Sequence, residues 1–405
     1  MLELNFNMAE TLAISILVLL LGREIKKRVN FLERFFIPAP VVGGVIFSIL
    51  LLIGHNTGAF SFSFDNVLKD FLMTIFFTTI GFTASGKLLK KGGVGVVVFL
   101  ITATVLVVIQ DIVGVSMAKM FGEHPLLGLA VGSVPLTGGH GTSGAFGPVL
   151  EEFGVTGGLS VSIAAATYGL IAGCLIGGPV AKRLRERYNL RPSLEDREGT
   201  VEVLEENEEN PVSEETLFSA VVVIALSMGI GYCIAPFLKK YGIVIPAYIG
   251  PMFIAAIIRN VADMQKKNLP MNEIAITGNI ALSLFLAMAL MTLKLWELAD
   301  LAIPIITILL VQTVIMALYA YFITFKFNGK DYDAAVMATG HCGFGLGATP
   351  NAMANMEVFT KENGPAPRAF FVLPVVGALF IDFTNATVIT FFINCLLYTS
   401  DAADE

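Results

Sequence analysis

Apolar stretches of about 20 residues recur along this chain, separated by short segments that carry charged side chains. A helix of this length crosses a hydrocarbon core about 30 Å thick. Strands of a membrane barrel would instead alternate in polarity over about 10 residues. The pattern therefore predicts ten membrane-spanning helices, near residues 8–21, 38–53, 71–85, 94–118, 160–180, 217–237, 243–258, 274–293, 301–325 and 369–397.

Two further apolar segments, residues 125–153 and 334–356, do not have the pattern of a simple span. Each consists of an apolar half-helix, a glycine-rich turn and a second short apolar stretch. The placement of charges in the neighbouring loops requires each segment to enter and leave the membrane on the same side. We therefore expect two re-entrant hairpins, with the first opening outward and the second inward.

The 26 Lys and Arg residues are unevenly distributed among the loops. Most lie on one side of the membrane if the first span begins outside the cell. Cytoplasmic loops of membrane proteins carry the excess of Lys and Arg. This asymmetry predicts a multi-pass membrane protein with both termini outside and the central loop in the cytoplasm.

The two halves of the chain resemble each other at an offset of roughly 205 residues. The sequence at 37–44 resembles that at 245–251, Gln110 matches Gln312, and the Gly-Gly-His at 138–140 matches the Gly-His at 340–341. Because each half has five spans, the second copy must be inverted, as in many secondary transporters. The predicted fold is all-α and membrane-integral, with two inverted-topology repeats of five transmembrane helices plus one re-entrant hairpin each. Its predicted parts are an N-terminal repeat (1–181), a charged cytoplasmic linker (182–215), a C-terminal repeat (216–397) and a tail (398–405).

The composition supports a membrane protein and excludes other classes. The chain is 55% hydrophobic and 15% charged, with a mean hydropathy of +0.76. A soluble fold of 405 residues would expose far more charge, and a nucleic-acid-binding protein would need a basic face. The net charge of −7 arises mostly in the central loop. The four cysteines are scattered, which favours neither a zinc site nor a disulfide framework.

The glycine-rich sequences of the two hairpins are the predicted substrate site. Glycine lets the backbone approach a ligand closely, and the helix that follows directs free N–H groups at an anion. Two such tips meeting near the midplane suit a substrate with two carboxylates. The alternative is tight helix packing through small residues, and the histidines could bind a carboxylate, move protons or fix turn carbonyls. The predicted residues are Thr137, Gly138, Gly139, His140, Gly141, Thr142, Ser143, Gly340, His341, Gly343, Gly345, Gly347 and Thr349.

Ionisable residues inside spans are costly and usually functional, and two carboxylates lie there. Asp382 and Asn385 are three residues apart on one predicted helix, and Asp111 follows Gln110 in another. Their oxygens suit a hard cation such as sodium, although either carboxylate could instead hold a substrate ammonium group or a proton. The predicted sodium ligands are Asp382, Asn385, Thr384, Asp111, Asn279 and Ser283.

The hairpin sequences resemble those of the bacterial sodium/glutamate symporter family. The similar stretches are Thr-Gly-Gly-His-Gly-Thr at 137–142, residues 280–290 and 293–298, and Tyr-Asp-Ala-Ala-Val at 332–336 with Gly-His-Cys-Gly-Phe-Gly-Leu-Gly-Ala-Thr-Pro at 340–350. Residues 37–44 and 377–382 are also similar, so the resemblance covers nearly the whole chain. It implies a transporter that takes up L-glutamate with sodium as the co-transported ion. It also implies elevator-like movement, a homodimer and a location in the bacterial inner (plasma) membrane, with both termini on the periplasmic or extracellular side.

We therefore expect a secondary active symporter that moves glutamate inward by alternating access, and not an enzyme. A sodium- or proton-coupled symporter of citrate or another di- or tricarboxylate is an alternative with the same architecture. A passive anion channel is an alternative from another class.

Overall fold

The computed structural model describes residues 2–91, 93–192, 212–241, 245–298 and 301–404. Most of these residues are helical. The helices of the first half are α1 (Met8–Arg28), α2 (Asn30–Arg34), α3 (Ala39–Thr57), α4 (Val67–Thr83), α5 (Gly86–Lys91), α6 (Gly93–Met120), α7 (Leu127–Ala130), α8 (Ser133–Leu136), α9 (Gly139–Glu152) and α10 (Gly158–Tyr188). The helices of the second half are α11 (Glu214–Gly231), α12 (Ile234–Lys239), α13 (Ile249–Met264), α14 (Met271–Leu290), α15 (Ala302–Tyr319), α16 (Phe325–Phe327), α17 (Tyr332–Gly345), α18 (Thr349–Asn363), α19 (Pro367–Leu379) and α20 (Ile381–Asp404). A 3₁₀ turn lies at Leu295–Leu298 and a π-helical turn at Ala320–Thr324.

Eight helical segments among the described residues are long and apolar enough to cross a membrane. They are Ala39–Thr57, Val67–Lys90, Gly93–Met120, Gly158–Tyr188, Glu214–Lys239, Met271–Leu290, Ala302–Phe327 and Ile381–Tyr398. This confirms a mostly helical, multi-pass membrane protein. Two of the ten predicted spans fall short of this standard. Helix α1 carries a basic last turn, and α13 has 16 residues, which extend over only about 24 Å.

The predicted span at 369–397 is two helices instead of one. Helix α19 ends at Leu379 and α20 begins at Ile381, with Phe380 between them. Pro374 lies inside α19 and has no N–H to donate, which weakens the helical ladder before the break. The freed carbonyls near the break are bonded to side chains, since Thr83 donates to Leu379 O at 2.7 Å.

One feature is not helical. Strands β1 (Leu2–Phe6) and β2 (Phe60–Phe64) pair in parallel, with Leu2 opposite Phe60. Along β2 the phenylalanines are partly buried and the serines are exposed, which is the alternation expected of a half-buried strand. The sheet joins the start of the chain to the segment that follows α3.

The described helices pack into two compact units. The first unit comprises Met1–Phe82, His140–Ala164 and Glu215–Ile305, and the second comprises Thr83–Gly139, Ala165–Glu214 and Ile306–Glu405. Each unit therefore combines segments from both halves of the chain. The first unit contains an apolar cluster around Phe82, Ile224 and Ile274, and the second contains a larger one around Phe99, Phe344 and Leu373.

Helices of the first unit approach closely through small residues. An ideal Cβ placed on Gly22 would lie 2.0 Å from Ala39 O, and one placed on Gly43 would lie 2.0 Å from Val18 O. Ser48 of α3 donates to Leu290 O of α14 at 2.7 Å. Contacts of this kind are typical of helices packed within a membrane.

The charged linker predicted at 182–215 lies largely outside the described residues, which stop at residue 192 and resume at residue 212. Its first residues belong to α10, which continues to Tyr188. The predicted tail begins inside α20, which extends to Asp404.

Candidate functional site

The two glycine-rich sequences contact each other in the second unit. Thr137 and Gly138 connect α8 to α9, and residues 346–348 connect α17 to α18. Gly139 has a left-handed φ of 63°, and an ideal Cβ on it would lie 3.2 Å from Gly347 O. A side chain at this position would therefore press on the second connection.

Gln110 of α6 joins the first connection to the end of α17, next to the second connection. Its Nε2 donates to Gly345 O at 2.7 Å, and its Oε1 accepts from Thr137 Oγ1 at 2.8 Å. Its own backbone carbonyl accepts from Gln312 Nε2 of α15 at 2.7 Å. The side chains of Gln110, Thr137 and Gln312 are all buried. One glutamine thus holds four segments of the second unit together.

Asp111, the next residue of α6, is fully buried. Its carboxylate accepts from the Ser133 N–H at 2.8 Å and from the Ser133 hydroxyl at 2.9 Å. Asn385 Nδ2 donates to Ser133 O at 3.1 Å. Within the described residues no Lys, Arg or His forms an ion pair with Asp111. A buried carboxylate without a basic partner is a candidate site for a cation.

Several buried oxygens of the second unit have no hydrogen-bond partner among the described residues. They are Gln312 Oε1, Thr339 Oγ1, Asn351 Oδ1 and Asn385 Oδ1. An unsatisfied buried polar atom costs about 1–3 kcal/mol. Asn385 Oδ1 belongs to the group formed by Asp111 and Ser133, and Gln312 Oε1 belongs to the group formed by Gln110 and Thr137. Both groups therefore offer an oxygen to a ligand.

The break between α19 and α20 lies beside the second connection. Thr349, the first residue of α18, donates its hydroxyl to Gly377 O of α19 at 2.8 Å. Asp382 lies in the first turn of α20, directly after the break, and Asn385 lies one turn later. Thr384 donates to Phe380 O, four residues earlier, so its hydroxyl proton is used within the helix. Discontinuous helices of this type carry ion sites in transporters.

Most of the predicted site glycines do not lie in turns, which corrects the sequence interpretation. Gly340, Gly343 and Gly345 belong to α17, and of the predicted glycines only Gly139 has a positive φ. An ideal Cβ on Gly343 would lie 2.5 Å from Ala352 N of α18. Glycine is needed at this position because the two arms of the second hairpin pack against each other.

His341 lies in the middle of α17, away from the connection to α18. It is fully buried, its Nδ1 is 2.8 Å from Thr324 Oγ1, and its ring contacts Phe99 and Phe344. Its Nε2 has no partner among the described residues. These contacts resemble those of a core histidine more than those of a ligand at the hairpin tip.

The remaining predicted residues lie in the first unit. His140, Gly141, Thr142 and Ser143 form the start of α9, where Ser143 donates to Ser162 O at 3.2 Å. An ideal Cβ on Gly141 would meet the Phe76 ring at 3.2 Å.

Asn279 and Ser283 also belong to the first unit. Asn279 is exposed, and the Ser283 hydroxyl donates to Asn279 O within α14. Asp382, Asn385, Thr384 and Asp111 belong to the second unit. The predicted sodium ligands are thus divided between the units.

Sequence reasoning missed the role of Ser133, which joins Asp111 to Asn385. A signal was present, because Ser133 precedes Pro135 in a short segment that must begin a new helix. It also missed Asn351, whose amide donates to Leu170 O at 2.9 Å. Both residues act through contacts distant in sequence.

The known proteins that this chain resembles are sodium/glutamate symporters. A family model described as sodium/glutamate symporter matches residues 4–365. The sodium/glutamate symporter of Escherichia coli K12 is 42% identical over 386 residues, which cover 95% of this chain and 96% of that protein. The sodium/glutamate symporter of Haemophilus influenzae Rd is 42% identical over 392 residues, with the same coverage. These relatives are symporters and not enzymes. The chain belongs to the sodium/glutamate symporter family.

Proposed function

We propose that this chain imports L-glutamate together with sodium by alternating access. The observation that carries the proposal is the group around Gln110, where both glycine-rich connections meet one residue away from a buried carboxylate. A substrate and a cation held on consecutive residues of one helix suit coupled transport. The names of the relatives supply the identity of both solutes.

The substrate side of the proposal rests on two helix N-termini. Helix α9 has 14 residues and begins at Gly139, and α18 has 15 residues and begins at Thr349. A helix N-terminus carries about half a positive charge. Gly139 and Thr349, the first residues of these helices, both belong to the second unit, and two such positive ends at neighbouring connections suit the two carboxylates of glutamate.

The sodium side rests on oxygen atoms. Asp111 supplies the negative charge, and Asn385 Oδ1 supplies a neutral oxygen that has no other partner among the described residues. Asp382, one helical turn before Asn385, supplies a second carboxylate at the break. Hard cations prefer such oxygens, and sodium would also compensate the buried charge of Asp111.

The proposed architecture is a pair of inverted repeats with two re-entrant hairpins. Gln110 and Gln312, matched between the halves by sequence, are bonded to each other, as expected of equivalent positions near a pseudo-two-fold axis. Each compact unit also draws segments from both halves. We propose that the second unit carries the solutes in an elevator-like movement. The proposed assembly is a homodimer, with both termini outside and the central loop in the cytoplasm.

Uptake of radiolabelled L-glutamate into proteoliposomes tests the function. Imposing an inward sodium gradient should start saturable accumulation, and counterflow of labelled glutamate should also require sodium. Accumulation without sodium under a pH gradient would indicate proton coupling. Inhibition of labelled glutamate uptake by excess unlabelled citrate would indicate a citrate carrier. Flux that never saturates would indicate a channel.

A further inference from the structure

A groove of about 510 Å³ lies on the surface of the second unit, between the end of α10 and the end of α15. It belongs to neither group of site residues described above. One of its walls is apolar and aromatic, and two arginines line it as well. The groove is as large as many small-molecule sites.

The positive charge of the groove comes from Arg183 and Arg187. They are four residues apart on α10, so they lie on the same face of the helix. Both are exposed, and neither forms an ion pair with an acidic side chain among the described residues. Guanidinium groups bind phosphate through paired hydrogen bonds. The groove therefore offers two donors to one phosphate group.

The apolar wall comes from both helices. Val180 of α10 forms its buried floor, and Leu318 and Phe322 line it while remaining 51% and 58% exposed. This concave apolar strip next to two arginines is complementary to a phospholipid, which has a charged phosphate at one end and hydrocarbon chains along the rest.

The π-helical turn at Ala320–Thr324 shapes this wall, since Tyr321 and Phe322 belong to it. Single π-helical turns within α-helices occur frequently at functional sites. Thr324, in the same turn, contacts His341 of α17. The wall of the groove is thus joined to the second hairpin through one side-chain contact.

The position of the groove selects the charge of the lipid. Lys326 and Lys330 follow the same end of α15 that borders the groove. This accumulation of basic residues marks the cytoplasmic side of a membrane protein. Anionic lipids bind to basic pockets between helices on that side.

We propose that this groove binds one anionic phospholipid, with its phosphate on Arg183 and Arg187 and an acyl chain along Val180, Leu318 and Phe322. The proposal requires that α10 and α15 cross the membrane with this end on the cytoplasmic side, and it does not depend on which solute is carried. Occupancy would hold the π-helical turn in place and thereby the Thr324–His341 contact.

Native mass spectrometry of the purified full-length protein tests the proposal directly. Protein from nanodiscs containing equal amounts of phosphatidylglycerol and phosphatidylcholine should retain phosphatidylglycerol selectively. The double variant Arg183→Gln/Arg187→Gln should retain about tenfold less, a change of about 1.4 kcal/mol. The matched control is Lys182→Gln/Arg185→Gln, which also removes two positive charges from α10, at residues that do not line the groove, and should retain phosphatidylglycerol like the wild type.

Two results would overturn the proposal. In the first, the double variant retains as much phosphatidylglycerol as the wild type. In the second, the wild type retains as much phosphatidylcholine as phosphatidylglycerol. Inorganic phosphate at millimolar concentration should not displace the lipid, and displacement would indicate a simple anion site. If the double variant does not fold, the single variant Arg183→Gln in the same experiment decides the question. Because binding is measured without transport, a failure here is separable from a failure of the proposed function.

Discussion

Gln312 Nε2 donates a hydrogen bond of 2.7 Å to the backbone carbonyl of Gln110, although 202 positions separate the two residues. Gln110 in turn bonds Thr137 and Gly345 through its side chain. The residues that the proposed repeat matches do not make the same hydrogen bonds. Thr137 Oγ1 donates to Gln110 Oε1, whereas Thr339 Oγ1 and Gln312 Oε1, 202 positions further along, have no partners among the described residues.

We expect Gln110→Leu to destabilise the protein more than Gln312→Leu does. The first change leaves Thr137 Oγ1 and Gly345 O without their shared partner, at about 1–3 kcal/mol each, and the second removes one donor at about 1 kcal/mol. Thermal unfolding in detergent measures the order. Thr104→Val, which removes a hydroxyl bonded only within α6, should change stability by less than about 0.5 kcal/mol. Equal losses of stability in the Gln110→Leu and Gln312→Leu variants would contradict the bridging role of Gln110.

We expect Gly139→Ala and Gly93→Ala to cost similar stability but to differ in transport. Both glycines have a left-handed φ, 63° and 67°, so alanine costs about 1–2 kcal/mol at either position. An ideal Cβ meets Gly347 O at 3.2 Å only in the first case, since nothing lies within 4 Å of the second. Uptake should fall severalfold for Gly139→Ala alone. Equal uptake by the two variants would show that the contact between the connections is not needed.

We expect Gly343→Ala to reduce the yield of folded protein. Its Cβ would lie 2.5 Å from the backbone nitrogen of Ala352, and overpacking of this kind costs about 1–3 kcal/mol. Gly178→Ala is the control, because no atom lies within 4 Å of that Cβ in the interior of α10. It should be neutral or stabilising by up to about 1 kcal/mol. Size-exclusion profiles and unfolding temperatures compare the two, and a well-folded Gly343→Ala protein would refute the packing role.

We expect Asp111→Asn and Asp382→Asn to weaken the apparent affinity for sodium more than that for glutamate. Loss of one charged ligand should raise the half-saturating sodium concentration about tenfold, or about 1.4 kcal/mol. Glutamate affinity at saturating sodium should change less. Glu362→Gln is the matched control, because this residue is exposed on α18 in the same unit. If the half-saturating sodium concentration stays at the wild-type value, the substituted carboxylate is not a ligand of the proposed sodium site.

Much of the helical architecture was predictable because a membrane span requires an apolar run of a given length. The break at Phe380 was not predictable. Its sequence signals are Pro374 and Gly377, and proline and glycine are also found in continuous membrane helices. The strands at Leu2–Phe6 and Phe60–Phe64 were missed although both alternate in polarity. Five alternating residues are a weak signal next to runs of twenty apolar ones.

Residue types in the sequence were enough to propose a candidate site but not to predict the contacts between its residues. Asp111 stood out because a carboxylate inside a span is costly. Its link through Ser133 to Asn385 depends on a contact across 252 positions, which no local pattern encodes. The glycines of α17 were misread as turn residues because composition does not distinguish a residue that bends the chain from one that admits a neighbouring helix.

The adjacency of Gln110 and Asp111 on a rigid helix has a mechanical consequence. A shift or rotation of α6 that separates Asp111 from Ser133 must also move Gln110 relative to Gly345. We therefore expect release of sodium from Asp111 to weaken the binding of glutamate at the same time. Uncoupled transport, in which sodium or glutamate crosses the bilayer without the other, would then be disfavoured because Gln110 and Asp111 are adjacent in the chain.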